Sequence, residues 1–190
     1  DPALAVLEAT RPSDTLRVHR QTFMRLDPER IPSEAELPDP GIRRARPADL
    51  ESLTGLAVRL HVDDQFGPDP GRAGARGYAQ RIEEGIGRGS IWCVGPLGAP
   101  VLKLEWAVSS ARWGVQVAGV VAATSVRGAG LGRAAMAATA RAALRQGRDQ
   151  PHPEAASVTL HVREANEGAR RAYRAAGFVE VEEWRLAVRT

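Results

Sequence analysis

The chain predicts an α/β domain of mixed α+β type, and three observations carry that expectation. Stretches that alternate apolar and polar residues are interleaved with stretches whose apolar residues share one helical face. One strand-like run, Val120 onward, passes through Arg127-Gly128-Ala129-Gly130-Leu131-Gly132 directly into a helical pattern. At 190 residues, with 43% hydrophobic and 26% charged content, the chain matches one globular domain with a sizeable core and room for a small appendage, rather than a disordered or fibrous protein.

Residues 1–40 differ in character from the remainder of the chain. Ala3 to Ala9 suggests a short helix, and Thr15 to Leu26 alternates partly, as a strand does. Pro28, Pro32, Pro38 and Pro40 among acidic residues then give a linker composition. This segment is expected to be an N-terminal arm on the core or the remnant of a preceding domain, with the main domain over 41–190. Ile42 to Arg46 reads as its first strand. Pro47 then starts a helix with Leu50, Leu53, Leu56, Ala57 and Leu60 on one face. Gln65 to Gly77 is expected as a loop and Tyr78 to Ile86 as a second helix. Ser90–Val94 and Val101–Val108 read as strands joined by Gly95 to Pro100, and Val115–Ala123 as the next strand. Leu131 to Arg145 is a helix whose stripe is Leu131, Ala135, Ala138 and Ala142. A polar loop at 147–154, a strand at 157–162, a helix at 166–176 and one long or two short strands at 178–188 complete the chain.

The glycine segment has the composition of a phosphate-binding turn. Glycine permits positive φ and close approach of backbone amides, and a helix N-terminus favours anions. A Walker loop needs a Lys after the glycines, and the sole lysine is Lys103. The dinucleotide fingerprint needs a third glycine at position 133, which is Arg133. What remains is R-x-x-G-x-G, on Arg127, Gly130 and Gly132; a ligand-free turn is the alternative. Downstream, Leu160 to Asn166 leads into Ala169-Arg-Arg-Ala-Tyr173-Arg-Ala-Ala-Gly177-Phe178. These two motifs, in this order, resemble the acetyl-CoA loop and the A-x-x-x-Y-x-x-x-G-F helix of the GNAT acetyltransferases. The resemblance spans roughly Ile42 to Val188. It implies the GNAT acyl-CoA N-acyltransferase fold, a central mixed, mostly antiparallel twisted sheet flanked by helices. The cues Leu102-Lys-Leu-Glu-Trp106 and Val115 to Val120 resemble a subgroup carrying an extra GNAT-like domain ahead of the catalytic one.

The resemblance implies acetyl-CoA as co-substrate and a primary amine of a small molecule or peptide as acceptor. It assigns CoA binding to the backbone of Arg127, Gly128, Ala129, Gly130, Leu131, Gly132 and Arg133. Pantetheine pairing and the oxyanion donor fall to Val120, Val121 and Ala122. Thr124 departs from the family, where proline is common. Tyr173 matches the tyrosine that protonates the departing thiolate; packing beside Ala169, Ala172 and Ala176 is the alternative. Asn166 is expected to bond cofactor or nearby backbone, or else to cap a helix. For the general base, Glu105 is the first candidate, since Lys103 and Glu105 face away from Leu102, Leu104, Trp106 and Val108 on their strand. A solvated Lys103–Glu105 pair is the alternative. His61, Asp63 and Asp64 end the first helix and suit a cationic substrate or an ordinary charged helix end; His161 is a weaker base candidate.

The formal charge of +3 and pI near 9.7 raise nucleic acid as a partner. The arginines are scattered without a dense patch, so no nucleic-acid partner is expected. No run approaches the ~18 apolar residues of a membrane span, and no signal peptide is visible, so no membrane association and a cytoplasmic location are expected. Cys93 stands alone in an apolar run, which fits a buried thiol, and no Cys/His cluster has metal-ligand spacing, so no metal is expected. A homodimer is left open by the resemblance. The competing reading to an enzyme is a non-catalytic acyl-CoA-binding or sensing module.

Overall fold

A computed structural model describes residues 16–64, 67–110, 112–148 and 157–189. The helix expected at Ala3–Ala9 lies outside them, as does most of the 147–154 loop. Seven strands form one sheet in the order β2-β3-β4-β5-β6-β1-β7. They are β1 (Leu16–Leu26), β2 (Arg43–Arg44), β3 (Ile91–Val94), β4 (Leu102–Ser110), β5 (Gly114–Ala122), β6 (Val158–Arg163) and β7 (Phe178–Arg189). The helices are α1 (Leu50–Asp63), α2 (Gly71–Gly87), α3 (Leu131–Arg148) and α4 (Glu167–Ala175). Every strand pair is antiparallel except β5–β6. From β2 onward this is the element order expected from the sequence.

Strand alternation divides the core between the two faces. Leu102, Leu104 and Trp106 point to α3 and α4, with Met136, Leu160 and Phe178. Ile91, Cys93 and Val121 point to α1 and α2, with Leu53 and Ile82. Val108 departs from the expected stripe and is 52% exposed. A register shift between Trp106 and Val108 adds a residue to β4 and turns Val108 outward.

The boundary expected near residue 40 does not divide the sheet. β1 pairs with β6 on one side and with β7 along its whole length on the other. The proline-rich stretch after it is not a free linker. Leu37 enters the larger core, and Arg141 of α3 donates to the carbonyls of Pro32 (2.9 Å) and Leu37 (3.0 Å). With cover on this side as well as from the sheet, α3 is buried continuously from Ala135 to Ala140, beyond the single stripe expected. α2 also begins earlier than expected, at Gly71 rather than Tyr78. Asp69 accepts from the Gly71 N–H at 2.8 Å, and Tyr78, Ile82 and Ile86 pack with α1 residues, which outweighs the poor helix propensity of Gly74 and Gly77.

Candidate active site

The site begins where two parallel strands part. β5 and β6 pair only through Val115–Val117 and Val158–Leu160. β6 continues to Arg163 against β1, while β5 runs on to Ala122 against β4. The β6-side edge of β5 is therefore open beyond Val117, and an extended edge presents backbone donors and acceptors. β5 also bulges here. Val121 lies opposite Lys103 and Ala118 opposite Glu105, so Gly119 and Val120 together face Leu104.

From Ala122 the chain makes a short 3-10 turn, Thr124–Val126, and enters the glycine loop. Gly128 (φ +83°) and Gly130 (φ +79°) adopt backbone conformations that side-chain-bearing residues rarely take. The Ala134 N–H bonds the Gly130 carbonyl, so the N–H groups of the three preceding residues have no place in the helical ladder. No acidic residue stands in the first turn to complement the positive end of the helix. Gly132 has neither a positive φ nor any atom within 4 Å that a Cβ would meet. Packing within the chain thus gives no reason for glycine there, whereas a polyanion against the loop backbone does.

Loop, strand edge and α4 enclose one cleft of about 1220 Å³. Val120, Val121, Ala122, all residues from Arg127 to Arg133, Asn166 and Tyr173 line it. Every CoA-binding position expected from the sequence therefore comes together with the expected acid. Tyr173 is 7% exposed and packs on Phe178, and burial, reinforced by Asp64, raises its pKa, so the phenol holds its proton. The Asn166 side chain accepts from the Ala169 N–H at 3.1 Å and caps α4 while facing the cleft. The Arg127 guanidinium is committed to protein partners: Nη2 lies 2.6 Å from Asp63 and Nε donates to the Ala122 carbonyl at 3.1 Å. It straps the loop to the end of α1, so this side chain is committed within the chain.

Glu105 is not brought into the cleft. Its carboxylate lies 3.7 Å from Lys103 Nζ, and that lysine is buried, so the pair is not on a solvated face either. Asp64 lines the cleft instead. Its backbone carbonyl accepts from Arg163 Nη1 at 2.7 Å. Burial is the main cause that raises its pKa; the Asp63 charge adds to this and Arg163 opposes it. The sequence placed Asp64 at a charged helix end, but only the fold shows it beside Tyr173. His61 Nε2 lies 3.1 Å from the Pro68 carbonyl, and the ring packs edge-on against Tyr78, which orders the α1–α2 connection. His161 lies outside the cleft, between the rings of Phe23 and Trp184, and contacts Gln116 at 3.1 Å. Among the described residues no group of three or more His, Cys, Asp or Glu is placed to hold a metal, and no helix is long and apolar enough to cross a membrane.

A profile of the acetyltransferase (GNAT) family matches residues 83–178. No curated protein matches the chain. Solved structures with the same fold include a GNAT-family acetyltransferase from Colwellia psychrerythraea, at 15% identity and a TM-score of 0.67, covering 96% of this chain and 60% of that one. A GCN5-related N-acetyltransferase from Sphaerobacter thermophilus gives 17% identity and 0.61, covering 99% of this chain and 55% of the other. A GCN5-related N-acetyltransferase-like protein from Streptococcus suis gives 12% and 0.56, with 98% and 67% covered. The chain thus spans less than two thirds of the length of the first two of these relatives.

Proposed function

Because the chain belongs to the GNAT acetyltransferase family, we propose that it is an N-acetyltransferase that moves an acetyl group from acetyl-CoA to a primary amine by direct attack. The observation that carries this reading is the meeting, in one cleft, of the open β5 edge, the glycine loop at the start of α3 and the buried Tyr173. The loop amides from Gly128 to Arg133 suit the pyrophosphate, and the Val120–Ala122 edge suits the amide-bearing pantetheine arm. Among the described residues two carboxylates line the cleft, Asp63 and Asp64. Asp63 is tied up by Arg59 and Arg127, so Asp64 takes the base role first assigned to Glu105. The amine nitrogen attacks the thioester carbon, the C–N bond forms and the C–S bond breaks. The amine proton passes to Asp64, directly or through water, and Tyr173 protonates the leaving thiolate. Its raised pKa keeps the Tyr173 phenol protonated across the working range. The acceptor is a small molecule or peptide amine, with neither nucleic acid nor membrane as partner.

Calorimetric titration of acetyl-CoA into the wild type and a Gly132→Glu variant tests the cofactor assignment. A Cβ at 132 meets no atom within 4 Å and the φ there is not positive, so the backbone accepts a side chain while the carboxylate repels phosphate. Binding to the wild type that is lost in the variant supports the reading and justifies an amine screen. No binding to the folded wild type overturns it. Binding without acetyl transfer to any amine favours a CoA-sensing module.

A further inference from the structure

Lys103 is the sole lysine of the chain and one of its most buried charged groups, at 3% exposure. A buried ammonium is costly, and an apolar residue of similar size serves packing as well or better. Its position offers a reason for it. Nζ donates to the Gly119 carbonyl at 3.4 Å and lies 3.7 Å from the Glu105 carboxylate. Gly119 is the residue at which β5 bulges, and its φ is +57°. The positive φ favours glycine here, and a Cβ would stand 2.8 Å from Nζ and push the ammonium off the Gly119 carbonyl. The carbonyl that Lys103 holds belongs to the same peptide unit as the Val120 N–H. That unit is trans, so the N–H points opposite to the carbonyl, away from Lys103. Val120 lines the cleft.

Building on the acetyltransferase reading, we propose that Lys103 is a positioning residue that acts through the Gly119–Val120 peptide: its ammonium fixes the bulge and polarises the peptide, strengthening the Val120 N–H as a donor to the thioester oxygen. A cation on the carbonyl draws electron density from the amide and adds a positive field behind the developing oxyanion. Glu105 is then the counter-ion that lets the lysine keep its proton in a buried site. Burial pushes the Lys103 pKa down, and Glu105 opposes that shift. This gives Glu105 a role at the site without reaching the substrate.

The test uses acetyl-CoA labelled with ¹³C at the thioester carbonyl. Its carbonyl stretch is read by difference infrared spectroscopy, bound to wild type, Lys103→Met and Lys103→Arg, with calorimetry on each. The wild type should shift the stretch to lower frequency relative to free acetyl-CoA. Lys103→Met should bind with affinity near wild type but lose most of that shift, and Lys103→Arg should recover part of it. Acetyl transfer in Lys103→Met should fall about tenfold, less than the ~10²–10³ that accompanies outright removal of an oxyanion donor. A full wild-type shift in a Lys103→Met complex overturns the inference and leaves the acetyltransferase reading intact. Failure of the wild type to bind acetyl-CoA overturns both. Should Lys103→Met not fold, Lys103→Gln keeps a donor for the Gly119 carbonyl without the charge and is read in the same way.

Discussion

Replacing Asp49 with asparagine tests whether one buried carboxylate holds α1, the helix that carries Asp63 and Asp64 to the cleft. Asp49 is fully buried. It accepts from Arg43 Nη1 at 2.7 Å and Nη2 at 2.9 Å, from the Arg46 N–H at 2.8 Å and from the Gly98 N–H at 2.8 Å. These bonds join β2, the entry to α1 and the β3–β4 turn. The Arg43 guanidinium holds the Asp49 carboxyl well below the usual carboxylate range, against the opposing effect of burial. Asparagine keeps the shape but turns an NH₂ toward two of these donors. Breaking a buried ion pair costs about 3–5 kcal/mol. Arg43 is partly exposed and retains the Gly95 and Pro96 carbonyls, which places the loss near the lower end, about 3 kcal/mol. In a chain of this size each kcal/mol moves Tm by about 2–4 °C, so the drop should be roughly 6–12 °C by calorimetry at pH 7. The native pKa is depressed, so this stabilisation is present above the unfolded carboxylate value near ~3.9 and is lost as pH falls through the native one. The gap between wild type and variant should therefore close on acidification. A variant within ~1 kcal/mol of wild type at pH 7, or a gap that widens in acid, refutes the argument.

Three further outcomes are expected. Gly114→Ala should destabilise by about 2–5 kcal/mol in denaturant titration, because its Cβ would lie 1.9 Å from the Ser157 carbonyl oxygen where β6 begins beside β5; a loss under ~1 kcal/mol would show that this junction yields freely. Acetyl transfer should fall as pH drops through the raised pKa of Asp64, and Asp64→Asn should remove that acidic limb and about 10²–10⁴ of the rate, while Glu105→Gln keeps the limb; the opposite pattern returns the base role to Glu105. Burial leaves Cys93 with no exposed surface and pushes its thiol up to about 11, so iodoacetamide at neutral pH should label it far more slowly in the folded protein than in urea; equal rates by mass spectrometry count against the packing around it.

Local chemistry was legible in the sequence, and non-local placement was not. The R-x-x-G-x-G spacing and the Tyr173 helix each announce themselves within about ten residues, and the fold brings them to one cleft. Most strand and helix positions follow from periodicity and turn residues, but the strand expected over Ile42–Arg46 shrinks to Arg43–Arg44, and α2 starts earlier than expected, where glycines hide a helix that packing enforces. The partnership of β1 with β6 and β7 joins segments more than a hundred residues apart, and alternation in Thr15–Leu26 says nothing about which strands it will meet. The same limit explains the base. Glu105 and Asp64 are both carboxylates, and only the assembled fold shows that Asp64 lines the cleft while Glu105 pairs with Lys103. Lys103 reads as half of a surface pair because alternation identifies a face without showing that α1 and α2 cover it.

The insertion of β1 between β6 and β7 has a consequence for biosynthesis. β1 leaves the ribosome first among the seven strands, yet the strands it joins emerge roughly 130 and 150 residues later. At about 5–20 residues per second it waits on the order of 10 s for these two partners. During that time Leu16–Leu26, which carries Phe23, Met24 and Leu26, lacks both of its native neighbours in the sheet. Trimming the chain to 41–190 would remove this wait but leave β7 with no neighbour in the sheet, since its ladder is with β1. Folding of this sheet therefore depends on whatever keeps β1 from pairing elsewhere until α4 and β7 have been made.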